Sequence, residues 1–219
     1  MESLILTLAV YALPVVFAIT LHEAAHGYVA RHFGDPTAWQ LGRVSLNPLR
    51  HIDPVGTILV PILILTASTM AAGSGILFGW AKPVPVRFDR LRRPKQDMLW
   101  VAAAGPAANL AMALGWTFVL KFALDMPDFV YAEAMAEMGR AGLVVNASLM
   151  LLNLLPLPPL DGGRIMVSLL PNRAAWRFAQ LERYGLVILL ALLFTGILGS
   201  VLSPLMGLFL LLVKSLFGI

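Results

Sequence analysis

The sequence predicts an all-α, polytopic membrane protein with about five to six transmembrane helices in a single domain over residues 1–219. Hydrophobic residues make up 59% of the 219 positions and charged residues 13%, whereas an average soluble domain is roughly 25% charged. The apolar residues form runs about as long as the ~20 helical residues that cross a bilayer. The net charge of +4 is concentrated in a few loops, so it does not indicate a nucleic-acid partner.

Six apolar segments give the order of elements, and they lie near residues 4–21, 55–73, 98–122, 141–170, 185–200 and 202–217. We expect core helices at about 4–32, 98–122 and 141–170, the last with a proline-rich break, and a C-terminal hairpin at about 185–217. The first segment is expected to remain in the protein. No Lys or Arg precedes it, and it exceeds the apolar core of about 7–15 residues found in cleaved signal peptides.

Loop charges predict the orientation in the membrane. Residues 76–97 are rich in Lys and Arg, whereas residues 123–139 carry acidic side chains and neither Lys nor Arg. The positive-inside rule places the first loop in the cytoplasm and the second outside. Because the chain before residue 55 is also basic, we expect a re-entrant segment near 55–81, which keeps both basic regions on one side. An ordinary spanning helix at 55–73 is the alternative.

A metal-binding pattern, HEAAH, ends the first apolar run. In a helix, residues four apart lie on one face, so His22 and His26 can bind one zinc ion while Glu23 lies beside them as a general base. The chain contains no cysteine, so the zinc would be held by histidine and carboxylate.

A catalytic zinc site usually has a third protein ligand. His32 has the spacing of a third histidine, but the turning glycine of that motif is replaced by Val29, so a continuous helix would point His32 away. His51 precedes a loop-like Ile-Asp-Pro and is expected at a surface or interface. A glutamate ligand on a following helix is also disfavoured, because the next glutamate after Glu23 is Glu133, in the acidic loop.

Asp161 is the better candidate for the third ligand. It lies in NLLPLPPLDGGRIMVSLL, an apolar stretch interrupted by prolines and glycines. An ionisable residue at membrane depth is costly and indicates function, and the expected partner is the zinc bound by His22 and His26. Asp161 is also suited to cap the helix that starts near Gly162, and the two roles are compatible.

Two asparagines are further candidates for substrate binding or oxyanion stabilisation. Asn153 lies eight residues before Asp161, and a helix-to-helix hydrogen bond is its alternative role. Asn109 belongs to the small-residue segment 102–115, for which close helix packing is the first interpretation. Because Pro106 and Asn109 interrupt that segment, its helix is also expected to line the site.

Five segments carry a resemblance to a known family: HEAAHGYVARHFGD, NPLRHIDPVGT, FGWAKPVPV, AAAGPAANL and NLLPLPPLDGG. In this order they resemble the site-2 protease family of intramembrane zinc metalloproteases, in its short prokaryotic form without PDZ or CBS domains. The HExxH pattern alone is moderately specific. Its combination with a downstream LDGG at membrane depth is strongly specific.

The resemblance implies one catalytic zinc ion bound by His22, His26 and Asp161, with Glu23 activating water and Asn153 as the asparagine of the family's site. It implies hydrolysis of peptide bonds in membrane-spanning substrates, in the plasma membrane of a prokaryote, with the site toward the cytoplasmic side. The lipid bilayer and a transmembrane substrate are the expected partners, and the oligomeric state stays open. A zinc permease and a catalytically silent membrane scaffold are the alternative functions.

Overall fold

The computed structural model describes residues 2–60, 62–64, 66 and 79–219, with the backbone course alone for residues 2–9 and 58. These residues are helical or irregular and contain no β-strand, which confirms the predicted fold class. Short helical turns cover Pro48–Arg50, Pro54–Leu59 and Phe88–Arg90. The longer elements are α1 (Glu2–His32), α2 (Thr37–Gln40), α3 (Pro94–Asp125), α4 (Ala132–Asn153), α5 (Asp161–Leu169), α6 (Asn172–Ala179), α7 (Glu182–Phe194) and α8 (Ile197–Phe217).

Three helices in the described part of the chain, α3, α4 and α8, are long and apolar enough to cross a membrane. The predicted count of five to six is therefore not confirmed. Helix α1 contains 31 residues and includes the whole apolar run 4–21. The predicted re-entrant segment near 55–81 lies in large part outside the described residues. Its described beginning is a wide helical turn, Pro54–Leu59, capped by Asp53, whose carboxylate accepts from the N–H groups of Val55 and Gly56.

Helix α3 is central and packs against α1, α4 and α5. Small residues of α4 let the two helices approach closely. A side chain at Gly139 would place its Cβ 2.8 Å from the backbone nitrogen of Leu120, and one at Gly142 would collide with the Trp116 ring. Close backbone contact of this kind is how helices associate in lipid, where hydrophobic burial gives little driving force.

The predicted segment 141–170 is divided into α4 and α5 by an irregular connection over residues 154–160, which contains three prolines. Prolines lack the backbone N–H that a continuing helix needs. Helix α5 then packs directly on this connection, because Gly162 faces the carbonyl oxygens of Leu154 and Leu155 with no room for a Cβ. Gly163 lies equally close to the backbone of Pro158. The break and the two glycines together fix the position of Asp161, the first residue of α5.

Asp35 ties the chain together just after α1. Its fully buried carboxylate accepts hydrogen bonds from the Thr37 hydroxyl at 2.5 Å, the Thr37 N–H at 3.0 Å and the Arg87 N–H at 2.6 Å. Burial raises the pKa of Asp35, but these donors and the nearby Arg90 charge outweigh it and hold the pKa below its ordinary value. Asp35 therefore holds Arg87, at the end of the irregular residues 79–87, against the end of α1.

Candidate metal centre

Two histidines of α1 and the first residue of α5 bring three side-chain atoms together in the protein interior. The Nε2 atoms of His22 and His26 lie 3.2 Å apart. Asp161 Oδ2 lies 3.2 Å from His22 Nε2 and 3.3 Å from His26 Nε2. All three residues are buried, and within the described ranges they form the group arranged to share one metal ion.

The three atoms form a nearly equilateral triangle whose size fits a tetrahedral zinc ion. Zinc binds nitrogen and oxygen at about 2.0–2.1 Å, so tetrahedral angles place two ligand atoms about 3.3–3.4 Å apart. Asp161 Oδ2 is buried and has no hydrogen-bond partner among the residues that the structure describes. A buried carboxylate oxygen without a donor is costly, and a cation between the three atoms removes that cost.

Hydrogen bonds on the far side of each ring direct both imidazoles toward this point. His26 Nδ1 lies 2.7 Å from the carbonyl oxygen of Val101, and a carbonyl only accepts, so this nitrogen carries the proton. His22 Nδ1 likewise donates to Asn109 Oδ1 over 2.5 Å. With Nδ1 as the donor, Nε2 is the nitrogen of each imidazole that can offer a lone pair to a metal.

A second asparagine fixes the orientation of the first. The Asn109 amide nitrogen donates to Asn146 Oδ1 at 2.9 Å and to the Ala18 carbonyl at 3.3 Å, which leaves its oxygen facing His22. Asn146 in turn donates to the Gly142 carbonyl of its own helix at 2.8 Å. Both asparagines are fully buried. The result is a hydrogen-bonded chain that runs from α4 through α3 to the metal-facing ring on α1.

The sequence predicts Asn109 and Asn153 as candidates for contact with substrate. The structure buries Asn109 behind His22 with both sides of its carboxamide hydrogen-bonded, and this placement favours an orienting role. Asn153 is the last residue of α4, and its amide nitrogen donates to the Leu149 carbonyl at 2.9 Å. Asn146 was missed, although a polar residue seven positions before Asn153 in an apolar helix was a usable signal.

Gly105 of α3 provides the space that the two histidines occupy. A Cβ at this position would lie 2.6 Å from His22 Cε1 and closer still to His26 Nε2. Because glycine has no side chain, α3 can bring Val101 and Asn109 within hydrogen-bond reach of the rings from behind. The small-residue segment 102–115 thus lies directly against the cluster, through Gly105 and Asn109.

Glu23 lies beside the metal-facing pair, as its place between His22 and His26 dictates. It is half-buried, and its Oε2 accepts a hydrogen bond from the Val84 backbone N–H at 2.7 Å. The other two histidines lie outside the cluster. His32 is exposed at the end of α1 with its ring against Phe33, and His51 is buried with Nε2 2.9 Å from the Ser45 carbonyl.

Comparison with known proteins places these features in a family context. A family profile described as Peptidase family M50 matches residues 130–196, the region that contains α4, the proline-rich connection and Asp161. A Bacillus subtilis (strain 168) protein named "Putative zinc metalloprotease YwhC" is 38% identical over 196 residues, which cover 88% of this chain and 84% of that protein.

Two mycobacterial relatives, each named "Putative zinc metalloprotease Rip2", are less similar in sequence. The Rip2 of Mycolicibacterium smegmatis is 27% identical over 180 residues, covering 82% of this chain and 64% of that protein. The Rip2 of Mycobacterium tuberculosis (strain H37Rv) is 29% identical over 175 residues, covering 80% and 62%. The chain thus spans less than two thirds of either Rip2. No solved structure matches it significantly.

Proposed function

Because the chain belongs to peptidase family M50, the site-2 protease family, we propose that this membrane zinc metalloprotease hydrolyses peptide bonds of membrane-spanning substrates. The observation that carries the proposal is the buried triangle of His22 Nε2, His26 Nε2 and Asp161 Oδ2, with sides of 3.2–3.3 Å. Its atoms, its size and the absence of a hydrogen-bond donor to Asp161 Oδ2 in the described part of the chain all suit one zinc ion.

In this proposal His22, His26 and Asp161 hold the zinc, and a fourth position stays open for water or substrate. A bound zinc ion supplies Lewis acidity that polarises a carbonyl and makes water nucleophilic near neutral pH. Asn109 and the Val101 carbonyl keep protons on the Nδ1 atoms, so both Nε2 atoms remain available as ligands.

Glu23 is the proposed general base. Its carboxylate takes the proton of the attacking water and returns it to the leaving amine, which a carboxylate within hydrogen-bond reach can do. Apart from Glu2, no other glutamate precedes Glu133 in the chain, so Glu23 is the one positioned by sequence beside the metal-binding histidines. A substrate helix hides its scissile carbonyl in its own hydrogen bonds, so the substrate unwinds locally before attack.

The setting supports cleavage within the membrane. The ligands come from α1 and α5, and α3, which packs against both, is long and apolar enough to span a bilayer. Residues 82–95 are rich in Lys and Arg, and the positive-inside rule assigns such a segment to the cytoplasm. The backbone N–H of Val84, in the same segment, donates a hydrogen bond to Glu23. We therefore propose a plasma-membrane protease whose site opens toward the cytoplasmic side and which serves regulated intramembrane proteolysis.

Reconstitution with a membrane-spanning test peptide tests the proposal. The parent protein should cleave the peptide in a zinc-dependent manner, and Glu23→Gln should abolish cleavage while zinc remains bound. Zinc flux across the vesicle membrane that survives Glu23→Gln, without any cleavage, would instead identify a permease. The convergence of the ligands on one point, rather than along a path, favours the protease.

A further inference from the structure

An irregular segment, residues 79–87, lies against the end of α1 that carries the HEAAH motif. We call it the strap. Four of its backbone N–H groups donate hydrogen bonds to other parts of the chain. The pairs are Trp80 with the Gly56 carbonyl at 3.0 Å, Lys82 with the His51 carbonyl at 2.8 Å, Val84 with Glu23 Oε2 at 2.7 Å and Arg87 with Asp35 Oδ2 at 2.6 Å.

Val84 has a special place in the strap because it lies between Pro83 and Pro85, which have no backbone N–H. Its amide is therefore the donor at the middle of the strap. Val84 is 5% exposed, so its N–H is shielded from water and has to find a protein acceptor. That acceptor is the carboxylate of Glu23 and not a carbonyl, which makes the hydrogen bond charge-assisted when Glu23 is ionised.

Gly27, one turn beyond Glu23, is what allows the strap to lie so close to α1. A Cβ at Gly27 would lie 2.6 Å from Val44 Cγ2 and 3.0 Å from Val84 Cγ1. The same face of α1 thus carries the base and the gap into which the Val84 side chain fits. The contact between Val84 and Glu23 is built by packing as well as by the hydrogen bond.

We propose that the backbone N–H of Val84 positions Glu23 for the reaction, so that Val84 acts through the general base. This inference rests on the proposed function and adds a residue to it. A glutamate side chain has several rotatable bonds, and one donor on Oε2 fixes its orientation while Oε1 keeps its lone pairs for the proton of water. A base that is misplaced by about 1 Å can cost about a hundredfold in rate.

Val84→Pro in the full-length protein tests the proposal, since it removes the N–H at a position that already precedes a proline. Val84→Ala is the control for the side chain, because it retains the donor. With a membrane-spanning test peptide, we expect Val84→Pro to lower kcat about ten- to a hundredfold. KM and bound zinc should stay close to those of Val84→Ala. Equal kcat in the two variants, or a higher kcat in Val84→Pro, would overturn the proposal.

Gly27→Ala is an independent variant that leaves the Val84 amide in place but adds a methyl group 2.6 Å from Val44 Cγ2 and 3.0 Å from Val84 Cγ1, which crowds the contact between α1 and the strap. It should also lower kcat more than it changes KM, with zinc retained, whereas a parental kcat would count against the proposal.

Hydrogen exchange of the strap amides gives a readout without turnover. Exchange at Val84 should accelerate in Glu23→Ala, while exchange at Lys82 should not. An unchanged exchange rate at Val84 would overturn the proposal, whether or not the test peptide is cleaved. Failure to cleave the test peptide would contradict the proposed function and is a separate result.

Discussion

Asn109 accepts a hydrogen bond from His22 over 2.5 Å, on the side of the imidazole that faces away from Asp161. The two residues come from different helices, α3 and α1, and both are buried. This single contact determines which nitrogen of His22 carries the proton and where the other nitrogen points. Zinc binding should therefore depend on this contact and on the groups that support it.

Replacement of Asn109 by leucine should weaken zinc binding about 10–100-fold, the usual effect of removing a group that orients a metal-binding histidine. The ligands themselves are untouched, so the protein should still bind one zinc at high concentration. Competition with a chromophoric chelator measures the affinity directly. Zinc affinity equal to that of the parent protein would show that Asn109 does not orient His22.

Asn146→Leu removes the acceptor that holds the Asn109 amide. We expect a loss of roughly 1–2 kcal/mol in unfolding free energy, in the range of interhelical hydrogen bonds in membranes. The loss of zinc affinity should be smaller than that of Asn109→Leu, because the Ala18 carbonyl still binds the same amide. In the double variant the two effects on affinity should not add. Full additivity would mean that the asparagines act independently.

Gly105→Ala should impair zinc binding, because the new methyl group would occupy the space of both imidazole rings. Gly115→Ala is a matched control on the same helix, since a Cβ there meets no atom of the described residues within 4 Å. Zinc content after purification should fall for the first variant and stay parental for the second. Equal zinc content in both would contradict the close approach of α3 to the rings.

Asp35 should make the stability depend on pH. Because its folded pKa lies below the ordinary value, its contribution is fully present above the unfolded pKa of about 3.9 and is lost as the pH falls through the folded pKa. Asp35→Asn should therefore lower the melting temperature near neutral pH, and the difference from the parent protein should narrow below about pH 4. A difference that stays constant with pH would contradict this account.

The control for Asp35 is Asp89→Asn. Asp89 forms an exposed ion pair with Arg87 at 3.2 Å, and exposed pairs contribute little to stability. The melting temperature of this variant should stay near that of the parent protein. A loss as large as that of Asp35→Asn would show that general charge effects, and not the buried hydrogen bonds, are responsible.

The sequence was informative where the chemistry is local. Helical spacing puts His22 and His26 on one face, and the cost of a carboxylate in an apolar stretch singled out Asp161. The apolar runs likewise predicted the all-helical fold. The number of spanning helices was harder to predict, because apolar length alone does not separate a crossing helix from the short helices α5 and α7.

The supporting groups could not be read from the sequence because they depend on how the helices pack. The pairing of Asn109 with Asn146 needs the register between α3 and α4, which the glycines of α4 set by close backbone contact. The hydrogen bond from Val84 to Glu23 joins a loop to a helix across 61 positions. Backbone donors and acceptors such as the Val101 carbonyl have no side-chain signature at all.

X-ray absorption at the zinc edge of the full-length protein tests the central claim most directly, that α1 and α5 together build one zinc site. We predict one zinc per chain with two imidazole nitrogens and a carboxylate oxygen at about 2.0–2.2 Å. Asp161→Ala should lose the carboxylate ligand while both imidazoles remain. An unchanged coordination shell in Asp161→Ala, or imidazole ligands that survive the joint replacement of His22 and His26, would contradict the account.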